Sequence, residues 1–125
     1  MKILITGSRN WTNRKIIEAE LIKLPKDTIL VHGSAPGADS TAGSVGKYLG
    51  FDVRPYPANW KEFGLSAGPQ RNQKMLDKEH PDKDGMYINR TYIFHEDPLL
   101  GKGTKDMYSR IIIAKPEIEI IKIII

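Results

Sequence analysis

The sequence predicts an α/β fold, a three-layer α/β/α sandwich around a mostly parallel sheet of about five strands. Short apolar runs rich in β-branched residues alternate along the chain with longer segments of helical periodicity. Glycine-containing turns separate several of these runs from the helical segments that follow them. Strands that alternate with helices need right-handed crossovers, and such crossovers produce a parallel sheet.

The elements follow from these patterns in chain order. The first strand is the apolar run within Lys2–Trp11, which Thr6, Gly7 and Ser8 end abruptly. A helix from about Asn13 to Leu24 follows, since apolar residues recur there at helical spacing and Pro25 comes next. The remaining predictions are a buried strand over 28–32, a turn of small residues over 33–39, a helix to about 49, a strand over 51–56, a loop over 57–64, a helix over 66–78, an exposed polar insertion over 79–89, a strand over 90–95, a turn over 96–103, a helix over 104–114 and a last strand over 117–125.

Composition limits the classes of function. The 125 residues fit a single domain, 1–125, that is long enough for a real core. The absence of cysteine excludes disulfides, a thiolate nucleophile and a cysteine metal site, and it fits a cytoplasmic protein. No secretory signal and no apolar run of transmembrane length is visible, so no membrane partner is expected. The net charge of +4 favours anionic ligands, but the basic residues are scattered.

The predicted strand order, 3-2-1-4-5, places three turns at one crevice. In this order the chain reverses direction between the first and fourth strands, and ligands bind outside the carboxyl ends of strands at such a point. The turns there read GSRNW, HGSAPGAD and HEDPLLGKGT. We therefore expect separate backbone corners to hold one negatively charged group together.

The first corner contains Gly7, Ser8 and Arg9 between a buried strand and a helix start. A helix start leaves free N–H groups and a partial positive charge, glycine admits a ligand close to the backbone, and arginine suits phosphate or carboxylate. An ordinary strand-to-helix turn is the alternative interpretation. Trp11, Trp60 and Phe63 offer aromatic faces for base stacking, or they simply pack against the turns.

The second turn supplies small residues and one carboxylate. Its backbone N–H groups could face a phosphate, with Asp39 holding a ribose hydroxyl or capping the helix, whereas ordinary turn residues would look the same in sequence. The candidate ligand-binding residues here are His32, Gly33, Gly37, Ala38 and Asp39.

Two later segments complete the predicted crevice. Gly101, Lys102, Gly103 and Thr104 precede or begin the last helix, where a phosphate would find a point charge and a hydroxyl donor, or where a flexible loop would carry a solvated lysine. Arg71 and Asn72 lie near the start of the third predicted helix and can point into the same space.

Histidines end two predicted strands on the same edge of the sheet. His32 and His95 could bind a metal, but no third ligand has convincing spacing, so we expect two partly buried, hydrogen-bonded histidines and no metal. A GLSAG pattern at 64–68 matches a nucleophile elbow, but no strand precedes it, which excludes a serine hydrolase of that type.

Taken together, GSRNW, HGSAPGAD, YPANW, GPQRNQKML and GKGTKDM resemble the SLOG superfamily, and within it the YspA/YpsA-like branch. The resemblance implies a Rossmann-like fold that binds nucleotides or nucleotide-derived ligands, such as ADP-ribose-like molecules, nucleoside monophosphates or cyclic nucleotides. By similarity the ligand corner contains Gly7, Ser8, Arg9, Gly37, Asp39, Arg71, Asn72, Gly103 and Thr104.

Departures from the related phosphoribohydrolases bear on catalysis. Those enzymes use an arginine in RKxxM and a glutamate in PGGxGTxxE. Here RNQKM keeps the arginine as Arg71, but Met107 stands where the glutamate would fall. A separate departure is from the YspA/YpsA-like branch itself, whose common SKGT is GKGT here, so that one hydroxyl is lost at Gly101. Cleavage of an N-glycosidic bond needs a carboxylate. Asp106 is adjacent to Met107 in sequence, but on a helix its side chain is turned about 100° away from the position of the missing glutamate.

We therefore expect a non-catalytic protein that senses or binds a phosphate-bearing, nucleotide-derived small molecule and needs no cofactor. The alternative is a nucleoside-monophosphate N-glycosidase that uses Asp39, Arg71 or Asp106. A single-stranded DNA-binding protein is the second alternative, but a nucleic-acid partner is not favoured because no basic stripe is present. The apolar last strand is compatible with a homo-oligomer.

Overall fold

A five-stranded parallel sheet with helices on both faces forms the molecule. The computed structural model describes residues 1–114 and 117–125. Its elements in chain order are β1 (Lys2–Gly7), α1 (Arg14–Leu21), β2 (Ile29–His32), α2 (Ala38–Tyr48), β3 (Asp52–Pro55), α3 (Trp60–Phe63), a 3-10 helix (Gly64–Ser66), α4 (Ala67–Glu79), β4 (Arg90–His95), α5 (Gly101–Ala114) and β5 (Glu119–Ile124).

The strand order confirms the predicted fold class and topology. The sheet runs β3-β2-β1-β4-β5, and every neighbouring pair is parallel. The crossover from β3 to β4 passes both β2 and β1, so the direction of winding changes between β1 and β4. This change opens a crevice at the carboxyl ends of the two central strands.

Successive side chains of β1 point to opposite faces of the sheet and so contribute to two layers of the core. Ile3 and Ile5 pack under α1 and α2 together with Trp11 and Phe94. Leu4 points to the opposite face and packs under α4 and α5. The central strand is therefore buried on both faces, which explains its continuous apolar run.

Two helix boundaries differ from the prediction. α1 ends at Leu21 rather than at the predicted Leu24. Pro25 disfavours helical backbone at Leu24, yet Leu24 still packs against the core. α5 begins at Gly101, three residues before the predicted start at Thr104. The glycines that indicated a turn therefore lie in the first helical turn.

The loop predicted over 57–64 contains a short helix. The Asn59 side-chain oxygen accepts a hydrogen bond from the Glu62 N–H at 3.1 Å, and its amide donates to the Glu62 carboxylate at 2.8 Å. This reciprocal pair resembles a capping box and starts α3. The Asn-x-x-Glu spacing was the sequence signal for this helix.

The prediction of an exposed insertion over 79–89 is wrong for its first part. The Lys2 ammonium is fully buried and lies 2.9 Å from the Glu79 carboxylate and 2.7 Å from that of Asp82. Arg54 binds the same two carboxylates, and the Tyr56 hydroxyl donates to Glu79. These five residues, the buried ion cluster, join the start of β1 to the end of β3 and the end of α4.

One edge of the sheet is β5, as the apolar end of the sequence predicted. Ile113 and Ile125 near this edge are largely exposed. The expectation of a homo-oligomer stays a prediction. Among the described residues, no helix combines the length and the apolar character that crossing a bilayer requires.

Candidate functional site

A cavity of about 330 Å³ opens at the carboxyl ends of β1 and β4. Five separate segments of the chain meet around it: the end of β1, the turn before α2 with the first residues of α2, the first half of α4, the end of β4, and the start of α5. The lining residues are Ile5, Thr6, Gly7, Ser8, Arg9, Asn10, Ala35, Asp39, Arg71, Asn72, Met75, His95, Leu100, Gly101, Lys102, Gly103 and Thr104.

The backbone at the end of β1 lies directly against β4 and α2. A Cβ on Gly7 would lie 2.2 Å from the Phe94 carbonyl oxygen and 2.8 Å from the Ala38 methyl. The Ser8 N–H donates to the same Phe94 carbonyl at 2.9 Å. Only glycine therefore allows β1, β4 and α2 to converge here.

The turn before α2 rests directly on the β1 corner. A Cβ on Gly37 would lie 2.3 Å from the Ser8 carbonyl oxygen, and the φ of +79° also favours glycine. The Ala38 N–H donates to the Ser8 carbonyl at 3.0 Å. Gly37 and Ala38 thus join two corners, and the Ala38 N–H is already used within the protein.

Asp39 holds the second turn and also lines the cavity. Its Oδ2 accepts hydrogen bonds from the N–H groups of Gly33 at 3.0 Å and Ala35 at 3.4 Å. Burial raises the pKa of the Asp39 carboxyl to about 6, although the positive charge of Arg71 and the two N–H donors oppose that shift. Within the described residues, no hydrogen bond engages Oδ1.

Arg71 bridges α4 and the second turn. One terminal nitrogen of its guanidinium donates to the Gly33 carbonyl, and its Nε donates to the Asn72 side chain at 2.9 Å. Arg71 also interacts with the charges of Asp39 and Arg9. Two arginines and one carboxylate therefore act on one another at the cavity.

Asp106 does not line the cavity. Its carboxylate accepts hydrogen bonds from Asn72 at 2.9 Å and from Arg110 at 2.8 Å, which joins α4 to α5. Burial would raise the pKa of Asp106, but these hydrogen bonds outweigh burial and lower it. Its position supports a role in packing the two helices rather than in chemistry at the cavity.

The first turn of α5 forms the wall opposite Asp39. Gly101, Lys102, Gly103 and Thr104 all line the cavity, and the first N–H groups of a helix have no partner within that helix. No hydrogen bond among the described residues engages the Thr104 hydroxyl. The wall offers an exposed lysine and the hydroxyl of a largely buried threonine beside a helix N-terminus.

The two histidines occupy different environments. His32 is buried beneath α2, its Nδ1 accepts from the Ser34 N–H at 2.9 Å, and burial with the charges of Lys47 and Arg71 lowers its pKa to about 4. His95 lines the cavity, and its Nδ1 accepts from the Asp97 N–H at 3.0 Å. Within the described part of the chain, no group of three or more histidine or acidic side chains could hold a metal ion.

The two tryptophans also occupy different environments, one in the core and one at the surface. Trp11 is 4% exposed, its ring lies 5.6 Å from that of Phe94, and its indole N–H donates to the Asn13 carbonyl at 2.9 Å. This placement does not support base stacking on Trp11. Trp60 is 45% exposed, and the Arg9 guanidinium lies 5.4 Å from its ring centroid.

The structure thus brings together residues from all three predicted turns. The predicted site residues that line the cavity are Gly7, Ser8, Arg9, Asp39, Arg71, Asn72, His95, Lys102, Gly103 and Thr104. The others, Trp11, His32, Gly33, Gly37 and Ala38, lie outside the lining. Sequence reasoning did not assign six further lining residues to the site: Ile5, Thr6, Asn10, Ala35, Met75 and Leu100. Of these, only Thr6 and Asn10 carried a signal, since they flank the first glycine turn.

The fold and this cavity define a Rossmann-like protein with a crevice at its topological switch point. The sequence pattern of the YspA, cpYpsA-related SLOG family matches residues 1–63, half of the chain. The chain belongs to this family, which confirms the resemblance seen in its motifs.

Two known proteins resemble the chain. The Gene 61 protein of Mycobacterium phage D29 is 37% identical over 84 residues, which cover 60% of this chain and 67% of that protein. The X-ray structure of DNA processing protein A (DprA) from Streptococcus pneumoniae superposes with a TM-score of 0.69 at 15% identity. That match covers 95% of this chain and 49% of DprA, so the chain spans about half of DprA and shares its fold.

Proposed function

We propose that the cavity binds the phosphate of a nucleotide or nucleotide-derived small molecule and that the protein acts as a binding protein or sensor. The supporting observation is the convergence of Arg9, Asp39 and Thr104, from three separate turns, on one cavity. Arginine, lysine, a hydroxyl and a helix N-terminus are the groups that proteins use to hold phosphate.

Calorimetric titration with ADP-ribose, AMP and cyclic AMP tests this proposal. At least one of these ligands is expected to bind, and Lys102→Ala should weaken its affinity about fivefold because a cation near the phosphate is lost. Lys105→Ala is the matched control, since Lys105 is equally exposed on the same helix but does not line the cavity. A flat titration with all three ligands would contradict the proposal.

A nucleoside-monophosphate N-glycosidase is the alternative function, and the position of Asp39 favours it over other enzymes. Asp39 is the only carboxylate among the described residues that line the cavity, and burial raises its pKa. A carboxylate could steady an oxocarbenium-like transition state or activate water. Chromatography of AMP incubated with the protein would reveal free adenine, and Asp39→Asn should abolish the release.

A single-stranded DNA-binding function is the further alternative. The fold neighbour is named a DNA processing protein, and Arg9 and Trp60 form an exposed cation–aromatic pair near the cavity. Fluorescence anisotropy with a labelled oligothymidylate would detect such binding. A DNA-binding surface requires affinity that falls steeply between about 50 and about 200 mM salt.

A further inference from the structure

We infer that Trp60 is the platform on which the base of the bound nucleotide stacks, which makes the ligand of the cavity a mononucleotide rather than a bare phosphate or sugar phosphate. This inference rests on the proposed function, because it extends from the phosphate-binding cavity to the aromatic ring beside it.

Trp60 is not a lining residue, but its ring lies against the helix that carries several of them. A Cβ on Gly68 would lie 3.2 Å from the end of the Trp60 ring, so the ring rests on the first turn of α4. Gly68 precedes Arg71 and Asn72 by three and four residues, and positions with this spacing share one face of a helix. Since Arg71 and Asn72 line the cavity, the ring continues the wall that they form.

Contact with Arg9 links the Trp60 ring to the residues that are proposed to bind the phosphate. Arg9 lines the cavity, and its guanidinium lies 5.4 Å from the Trp60 ring centroid. Arginine that contacts an aromatic ring is also positioned to pair with an anion, so base and phosphate would be held by adjacent side chains. Trp60 keeps 45% of its surface exposed, which leaves room for a base.

The capacity of the cavity limits the size of the ligand. A volume of about 330 Å³ lies at the small end of ligand-binding pockets. One phosphate and one ribose would occupy the space between Arg9, Asp39 and Thr104, and the base would extend to Trp60. A second phosphate and ribose would find no further lining residues to contact.

Paired titrations of AMP and ribose 5-phosphate test the inference, since the two ligands differ only by the base. The wild-type protein should bind AMP about tenfold more tightly, because stacking on an aromatic side chain contributes on that scale. Trp60→Leu should remove this preference by weakening AMP binding far more than ribose 5-phosphate binding, whereas Trp60→Phe should keep part of the preference. AMP should also quench the tryptophan fluorescence, and ribose 5-phosphate should not.

Phe63→Leu is the matched control, since Phe63 is 43% exposed on the same short helix but makes no described contact with Arg9. Equal affinities of the wild type for the two ligands would overturn the inference while leaving phosphate binding in place. An equal loss of both affinities in Trp60→Leu would also overturn it and assign Trp60 a structural role. If neither ligand binds, the inference fails together with binding of a mononucleotide by the cavity.

Discussion

Single residues decide how closely the corners of the cavity approach one another. Gly7 and Gly37 lie where a Cβ would overlap the backbone of a neighbouring segment. Asp39 holds the second turn through two N–H groups while its carboxyl is buried. Conformation, contact distance and protonation at these positions therefore control the shape and charge of the cavity.

Gly37→Ala should destabilise the protein by about 3 kcal/mol, because it adds a steric overlap with Ser8 to the strain of a positive φ. Gly50→Ala separates the two effects, since Gly50 has a φ of +86° and no neighbour within 4 Å of the added Cβ. The control should lose only about 1 kcal/mol. Urea unfolding of both variants measures the difference, and equal losses would contradict the close contact.

The carboxyl of Asp39 should make the protein less stable as the pH rises from about 4 to about 6. Its pKa is raised to about 6 in the folded protein, so the folded state binds more protons than the unfolded state within this window. Above about pH 6, the loss of stability that the ionised Asp39 carboxyl causes is complete. The stability of Asp39→Asn relative to the wild type should therefore increase by about 2 kcal/mol between pH 4 and pH 7.

Urea unfolding at a series of pH values would measure this change. A constant difference between Asp39→Asn and the wild type would show that the carboxyl has an ordinary pKa.

At the scale of elements, short segments place the side chains of the candidate site. α3 is only four residues long, and the Asn59 cap starts it and orients Trp60. The first turn of α5 carries Lys102 and Thr104 into the cavity because the helix begins at Gly101. Such short elements depend on their caps and neighbours rather than on propensity.

Asn59→Ala should destabilise the protein by about 1 kcal/mol and weaken AMP binding several-fold, because α3 loses its cap and Trp60 its fixed position. Asn13→Ala is the control, since Asn13 caps α1 through the Ile16 N–H, away from the cavity. The control should lose stability alone. Calorimetry and thermal unfolding of both variants provide the comparison, and equal effects on binding would contradict a specific role of α3.

At the scale of the whole molecule, the buried ion cluster joins segments that are far apart in sequence. Lys2 belongs to β1, Arg54 to β3, Glu79 to α4, and Asp82 to the segment after it. Hydrogen bonds from Tyr56, Lys2 and Arg54 outweigh burial and lower the pKa of Glu79, while the Lys2 ammonium holds the pKa of Asp82 far below its usual value. The sheet and the helix layer are thereby tied together at one end.

Lys2→Met should destabilise the protein by about 4 kcal/mol at neutral pH, because two buried carboxylates lose a cation that contacts both. Since the pKa values of Glu79 and Asp82 are lowered, their contribution is present above about pH 4 and is lost as the pH falls through the folded values.

The loss of stability that Lys2→Met causes should therefore be smaller at acidic pH than at neutral pH. Urea unfolding at neutral and acidic pH tests this, with Lys83→Met, an exposed lysine in the same segment, as the control. A deficit that is independent of pH would assign the effect to packing alone.

Local patterns in the sequence were sufficient for the fold class and most residues of the cavity, and the strand order followed from the order that is usual for that fold class. Periods of two and 3.6 residues reflect which side chains face the core, and glycine marks turns where a Cβ would not fit. Gly7, Arg9, Asp39 and Thr104 could be assigned to one site because parallel strands bring their carboxyl ends together.

Contacts between distant segments were decided only in the tertiary structure. Lys2 appears in the sequence as an exposed charge at the start of a strand, and Glu79 and Asp82 appear as parts of a polar insertion, yet all three side chains are buried together. Trp11 and Trp60 both follow a candidate turn, but one packs in the core and the other lies beside Arg9. Burial and pairing depend on neighbours far away in the chain, and local spacing carries no information about them.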